Sequence, residues 1–348
     1  MKAAVLIAFW TFTLLGCMRT PQDDITVLTY GSPYSPSHPF SRADRKWMTW
    51  IETKSHGKLR IQPFWSGSIL SSEHSMTELR HGVVDIGLIT PIYVRGGAHL
   101  IRTQAGYYGG VTTFAQQVAL YRCLESSDTQ FASELHGLVV LAVQGGNLPG
   151  IVTRNKQVTS LADLKGLRLR APSELLSVLK FLGADPVDMP MGDVYSALAK
   201  GVLDGVIAPA DTLKSLHFAE VAHYFNTITI PRGAYPGRAM GMQRWNALTR
   251  EQQALLRESG AVWEQALDDE LSKAEHAGVT AGHERHMQFT DFPPDQFQHF
   301  LDIYNRFAER GAEQLQGFGI DGMTPFRLAR RIAADAASTH SISCTGEH

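Results

Sequence analysis

Between Leu161 and Pro209 the sequence reads LADLKGLRLRAPSELLSVLKFLGADPVDMPMGDVYSALAKGVLDGVIAP, and this stretch most constrains the fold. Leu167 and Leu169 alternate with Arg168 and Arg170, the period of a half-buried strand. Pro172 breaks that strand. Ser173 is placed to cap a helix with apolar residues at Leu175, Leu176, Leu179 and Leu182. Gly183 suits a left-handed helix end, and a short strand follows to Met189. Asp193 reads as the N-cap of a second helix, and Asp204-Gly205 turns the chain into a third strand. A β-α-β-α-β unit with such short links predicts a compact parallel sheet. Ligands of such sheets sit beyond the carboxyl ends of the strands, where Arg170 lies.

The run LKGLRLRAP, followed by GADPVDMPMGDVYSALAKGVLDG, resembles the substrate-binding protein of tripartite ATP-independent periplasmic (TRAP) transporters, of the dicarboxylate-binding type. The similarity extends over roughly Ile25 to Ala334. It implies an α/β, two-lobed periplasmic binding protein with a ligand cleft between the lobes. Periodicity alone leaves Arg170 open between a solvated side chain like Arg168 and a ligand contact. The resemblance implies that it grips a substrate carboxylate, and a planar guanidinium with parallel donors suits that task.

The amino-terminal half repeats the same order. ITVLTYG and LRIQPFW read as strands around the helix SRADRKWMTWIETKSHGK, and a second helix leads into the buried strand DIGLI. SPSHPF and the GxVDxGL pattern match the family. The resemblance implies pocket positions at Pro33, Tyr34, Thr90 and Tyr93, after the first and third strands. For the two tyrosines ordinary half-buried packing is an equal alternative. Further candidates are Met191, Ala208, Asp211 and Tyr235. Residues 95–111 are glycine-rich and read as a loop. GGNLPG lacks the Lys-Ser/Thr pair of a phosphate loop and reads as a hinge turn.

Departures from the family pattern bear on the ligand. Gly150 replaces a second arginine, Ala208 an asparagine, Met191 an aromatic residue, and Thr90 a polar or acidic residue of some members. The expected ligand is therefore a monocarboxylate with an apolar or bulky far end, with Gly150 and Ala208 leaving room for it. Arg238 and Lys214 are the candidates for a replacement clamp.

Lys2 and the apolar run to Leu15 mark a targeting segment over residues 1–17. Leu14-Leu15-Gly16-Cys17 resembles a bacterial lipobox, which predicts lipidation of Cys17; plain signal cleavage is the other reading. Cys123 reads as a small buried residue and Cys344 as part of an unordered tail, SISCTGEH. A disulfide between them is permitted but not signalled by the spacing. His276, His283 and His286 lack the partners of a metal site and read as a solvated face. No GxSxG element supports a hydrolase. The net charge of −2 gives no reason to expect nucleic acid.

The expected division is residues 24–147 with 235–275 as lobe I, 148–234 with 276–335 as lobe II, and a polar tail over 336–348. The expected function is cofactor-free capture of a small organic acid in the periplasm, delivered to the TRAP membrane permease, with a lipid anchor at Cys17. A ligand-binding module for a sensory receptor would carry the same features.

Overall fold

The computed structural model describes residues 25–94, 96–339 and 342–344. Cys17 and its lipobox lie outside the described residues.

Two sheets organise the chain. The first has the order β2-β1-β3-β10-β4, from β1 (Thr26–Gly31), β2 (Leu59–Phe64), β3 (Ile86–Leu88), β4 (Leu138–Gln144) and β10 (Tyr235–Gly241). β1 pairs in parallel with β2 and β3, while β10 runs antiparallel between β3 and β4. The second has the order β11-β9-β5-β8-β6-β7, from β5 (Gly150–Thr153), β6 (Arg168–Arg170), β7 (Asp185–Val187), β8 (Gly205–Ala208), β9 (Tyr224–Asn226) and β11 (Gln288–Thr290). β6 lies parallel between β7 and β8, as the local periods and short links require.

The helices around the central unit are shorter than the sequence implies. A tight 3-10 turn takes Ser173–Leu175, so Ser173 is not an α-helical cap, and α6 covers Leu176–Phe181. Gly183 has φ of +87°, the conformation its position demands. α7 (Val194–Ala199) starts just after Asp193, whose side chain makes no capping bond. In the other half α1 spans Pro39–Lys54, and the chain beyond it turns through Gly57 at φ +79°. Residues 95–111 are not simply a loop: α3 (His99–Gln104) forms there. It buries Leu100 and Ile101 and offers their N–H groups to the Glu134 carboxylate, at 2.8 and 2.9 Å. Glycine content concealed this turn, because both stabilising contacts are remote in sequence.

α10 (Arg250–Glu284) is one continuous helix, opened by a Thr249/Gln252 capping box. It packs on α1 and β4 at one end and on α8 (Asp211–Ser215) at the other. Gly260 lies against the Leu141 carbonyl of β4, and Gly278 against the Ala210 carbonyl at the start of α8. A Cβ at either place would collide with backbone, so these two glycines set how closely the helix approaches each sheet. α11 (Pro294–Gln314) carries the aromatic stripe, with Phe300 and Tyr304 buried in the core of the second sheet. α12 (Met323–Thr339) then returns to pack against α4 (Phe114–Ser127) in the first core.

The tail expected from residue 336 is part of α12 as far as Thr339, and Ala336 is buried. Cys344 forms a disulfide with Cys123, with Cα atoms 5.1 Å apart. The link spans 221 residues of sequence, a separation from which no pairing is readable. Because it fastens only the segment beyond α12, reduction or Cys344→Ser should cost at or below the lower end of the usual 2–4 kcal/mol. A fall of Tm on reduction, absent in the variant, is the expected readout.

The first core encloses an ion pair. Asp44 on α1 accepts from Arg238 Nε at 2.8 Å, Trp263 Nε1 at 2.7 Å and the Tyr30 hydroxyl at 2.6 Å. Both charged side chains are fully buried. Asp44→Ala would leave the guanidinium without its counter-charge, a loss of about 3–5 kcal/mol. Chemical denaturation of the ligand-free protein measures it.

Candidate functional site

The candidate site is a cavity where the carboxyl ends of β6 and β8 face the loops after β1 and β3. Its wall includes Tyr34, Tyr93, Arg170, Met191, Asp211 and Tyr235, six of the positions expected from the sequence. Arg170 is buried at the last position of β6. Its Nε donates to the Met189 carbonyl at 3.0 Å and its Nη2 to the Tyr93 hydroxyl at 2.7 Å. The first bond fixes the guanidinium against its own sheet. The second joins it to the loop after β3, so Tyr93 reaches across the cavity. Among the described residues Nη1 has no protein hydrogen-bond partner, which leaves a donor edge of the fork for a ligand.

Three expected positions fall elsewhere. Thr90 is buried, and its hydroxyl donates to the Ser72 carbonyl, so it supports a loop behind the wall. Ala208 faces the core with Val206, while Ile207 between them points to the cavity side; strand alternation decides this. Pro33 lines a separate groove beside Tyr195 and His217. Gly150 does not leave room for ligand either. A Cβ there would press on the Phe225 ring and the Asn226 carbonyl of β9. Space at a glycine cannot be read from its sequence, since the neighbouring strand decides it.

Neither suggested replacement clamp reaches the cavity. Arg238 is sealed in the first core, and Lys214 is exposed in another groove. The second cavity guanidinium is Arg232, which sequence reasoning missed. It lies in the crossover between β9 and β10, packs on the open face of Gly146 and donates to the Asn147 carbonyl at 3.5 Å. A cation between Pro231 and Gly233 in a segment obliged to pass between the sheets was the available signal.

The rest of the wall is largely apolar, with Phe40, Ile92, Leu175, Ile207, Leu216 and Leu271. Tyr34 stacks on His38 with ring centroids 4.1 Å apart. Burial, with Arg42 and Arg238 nearby, pushes His38 down to about 3, so the ring is neutral. Its Nδ1 accepts from the Phe40 N–H at 3.2 Å. Burial raises the Tyr34 and Tyr235 phenols, which stay protonated as donors. Tyr235 in turn accepts from Gln144 at 2.6 Å. Burial also raises the Glu174 carboxyl, whose Oε2 is buried with no hydrogen-bond partner. His276, His283 and His286 are all exposed, as expected, and His283 also packs on Phe289 at 4.5 Å. No group of three or more metal-binding side chains occurs among the described residues.

Residues 30–314 match the family model described as bacterial extracellular solute-binding protein, family 7 (DctP). The chain belongs to that family, as the central motifs implied. The TRAP solute-binding protein of Rhodoferax ferrireducens, solved with copurified benzoate, has a TM-score of 0.81 at 22% identity, covering 91% of this chain and 100% of that one. A TRAP periplasmic protein of Bordetella bronchiseptica with bound mandelate gives a TM-score of 0.78 at 19% identity, covering 89% and 99%. These likenesses establish the two-lobed α/β fold. The C4-dicarboxylate-binding protein DctB of Bacillus subtilis is 24% identical over 298 residues, 82% of this chain and 83% of that protein. Among curated relatives the matched segments span from about a quarter to about four fifths of their length. The protein is thus a transport solute-binding protein and not an enzyme. No helix among the described residues is long and apolar enough to cross a membrane.

Asp211 gives the cavity a measurable pH signature. Burial first, and then Glu275, push its carboxyl up to about 7, against roughly 3.9 in an unfolded chain. Between those values the folded state holds a proton that the unfolded state releases, so stability falls as pH rises through the window. Asp211→Asn removes this dependence. In urea unfolding the variant should gain on the wild type between pH 4.5 and pH 8, by no more than about 4 kcal/mol.

Proposed function

We propose that the protein captures a small carboxylate in the cavity, with Arg170 as the principal grip, and delivers it to a membrane permease of the TRAP type. The observation that carries this reading is the Arg170 guanidinium, oriented by Met189 and Tyr93 while Nη1 remains without a partner among the described residues. Tyr34, Tyr93, Met191, Asp211, Tyr235 and Arg232 complete the binding wall. The apolar lining favours an organic acid with an apolar or bulky body over a compact dicarboxylate, since a second carboxylate among those side chains would be desolvated. Relatives with bound benzoate or mandelate support that preference. Arg232 modifies the expectation drawn from Gly150, because it supplies a second cation on the same wall.

In this reading the two sheets with their helices move as two bodies, hinged at residues 145–149 and 227–234 and by flexure of α10. Ligand contacts made from both sides favour the closed state. α12 travels with the first body because it packs on α4. The Cys17 anchor is part of the same proposal: acylation there would hold the protein at the outer face of the cytoplasmic membrane, and one lipid chain alone would bind only marginally.

Arg170→Ala leaves a buried carboxylate without its partner, a loss of about 2–5 kcal/mol, or roughly thirty-fold to several thousand-fold in affinity. Calorimetric titration of 3-phenylpropionate and succinate into wild type and variant tests both statements. Tighter binding of succinate by the wild type would reject the apolar-body reading, and unchanged affinity in Arg170→Ala would reject the grip.

A further inference from the structure

We infer that Asp211 is a second recognition point of the cavity, selecting carboxylates that also carry a hydroxyl donor. The inference rests on the carboxylate-capture reading above and deepens it. Asp211 is 4% exposed and lines the cavity just beyond the carboxyl end of β8, the strand paired with β6 and Arg170. Its carboxyl is poorly satisfied for so buried a group. Oδ1 receives only Asn147 Nδ2 at 3.5 Å, and Oδ2 only Ser215 Oγ at 3.3 Å. Both bonds lie beyond the 2.7–3.2 Å range of a good one. A buried carboxyl left in this condition loses solvation that nothing replaces.

The neighbouring groups do not close the gap. Glu275 is itself an acid, and its carboxylate accepts from the Asp211 and Ala210 N–H groups and from Asn147 Nδ2 at 2.9 Å. It therefore pins the backbone of Asp211 and offers the side chain nothing. Arg232 forms no ion pair with Asp211 among the described residues; its guanidinium is held over Gly146 towards the Asn147 carbonyl. Asp211 lines two openings, the cavity and a groove it shares with Lys214 and Ser215, and of the two only the cavity also holds Arg170. A ligand hydroxyl placed there completes the shell in either protonation state, since an ionised carboxylate accepts from it and a neutral carboxyl can also donate to it.

Among the polar groups of the wall, Arg170 and Asp211 stand at two adjacent strand ends, one cationic and the other an acceptor. A simple acid with no donor would leave the acceptor unsatisfied. Discrimination of this kind is strong because the penalty falls on a buried group and not on a lost surface contact.

The test compares three acids of one body by calorimetry: 3-phenylpropionate, 3-phenyllactate with a donor beside the carboxylate, and 3-(4-hydroxyphenyl)propionate with a donor at the far end. In the wild type one hydroxylated acid should bind roughly ten- to a hundredfold more tightly than the parent. In Asp211→Leu the ratio should fall to about one while the parent acid still binds, which a merely structural loss would not produce because it weakens all three alike. The parent binding tightest in the wild type overturns the inference without any variant. So does a hydroxyl preference that survives in Asp211→Leu. Binding of the parent with no hydroxyl preference leaves carboxylate capture intact and rejects only Asp211, whereas binding of none of the three rejects both.

Discussion

The buried contact between Asp44 and Arg238 holds the first half of the molecule in register. It brings together α1, β10 and, through Trp263 and Tyr30, α10 and β1. The guanidinium also lies over the Trp263 ring, 4.2 Å from its centroid, and donates from Nη1 to Gln144 at 3.0 Å. Burying two charges is expensive, and hydrogen bonds from four directions are what make this pair tolerable. Only Nη2 is left without a partner. From Gln144 the chain of bonds continues to the Tyr235 hydroxyl at the cavity wall. One face of the candidate site is therefore tied through Gln144 to the Asp44–Arg238 pair.

Among the described residues no fully buried ion pair is seen in the second sheet, and its candidate site residues are held differently. Arg170 is fixed by a backbone carbonyl in its own sheet and a phenol from the other side of the cavity. Glu275, in the last third of α10, clasps the amides of Ala210 and Asp211 and the side chain of Asn147 in the β4–β5 link. The long helix thus touches that link, the second sheet and, at Leu271, the cavity itself. Its glycines at 260 and 278 bring it against backbone on both sides. Relative motion of the two halves must bend or slide this helix, so its close contacts limit which displacements are available.

How much of this was legible in the sequence depended on the range of the cause. The β-α-β-α-β unit and the place of Arg170 at a strand end could be read because strand alternation, Gly183 and the short links are local. α3 was hidden because its stability comes from a carboxylate on another helix, and the Cys123–Cys344 link because pairing depends on where α4 and the tail meet. Gly150 and Ala208 were misread as open space. One is hemmed in by β9, and the other points away from the cavity by the alternation of β8. Arg232 escaped notice because no periodicity marks a crossover, although every such segment in a two-sheet protein must pass the cleft.

With those residues in place, the electrostatics of the cavity follow from burial. It contains two guanidinium groups, Arg170 and Arg232, and two carboxyl groups, Asp211 and Glu174. Were all four charged, their sum would be zero and an incoming anion would gain little. Burial acts unequally on them, because it raises both carboxyl groups towards their neutral forms, while an arginine keeps its proton under any condition a protein meets. Burial thus weakens the negative charge that these two acids can set against the guanidinium groups. A carboxylate entering the cavity replaces the missing counter-charge.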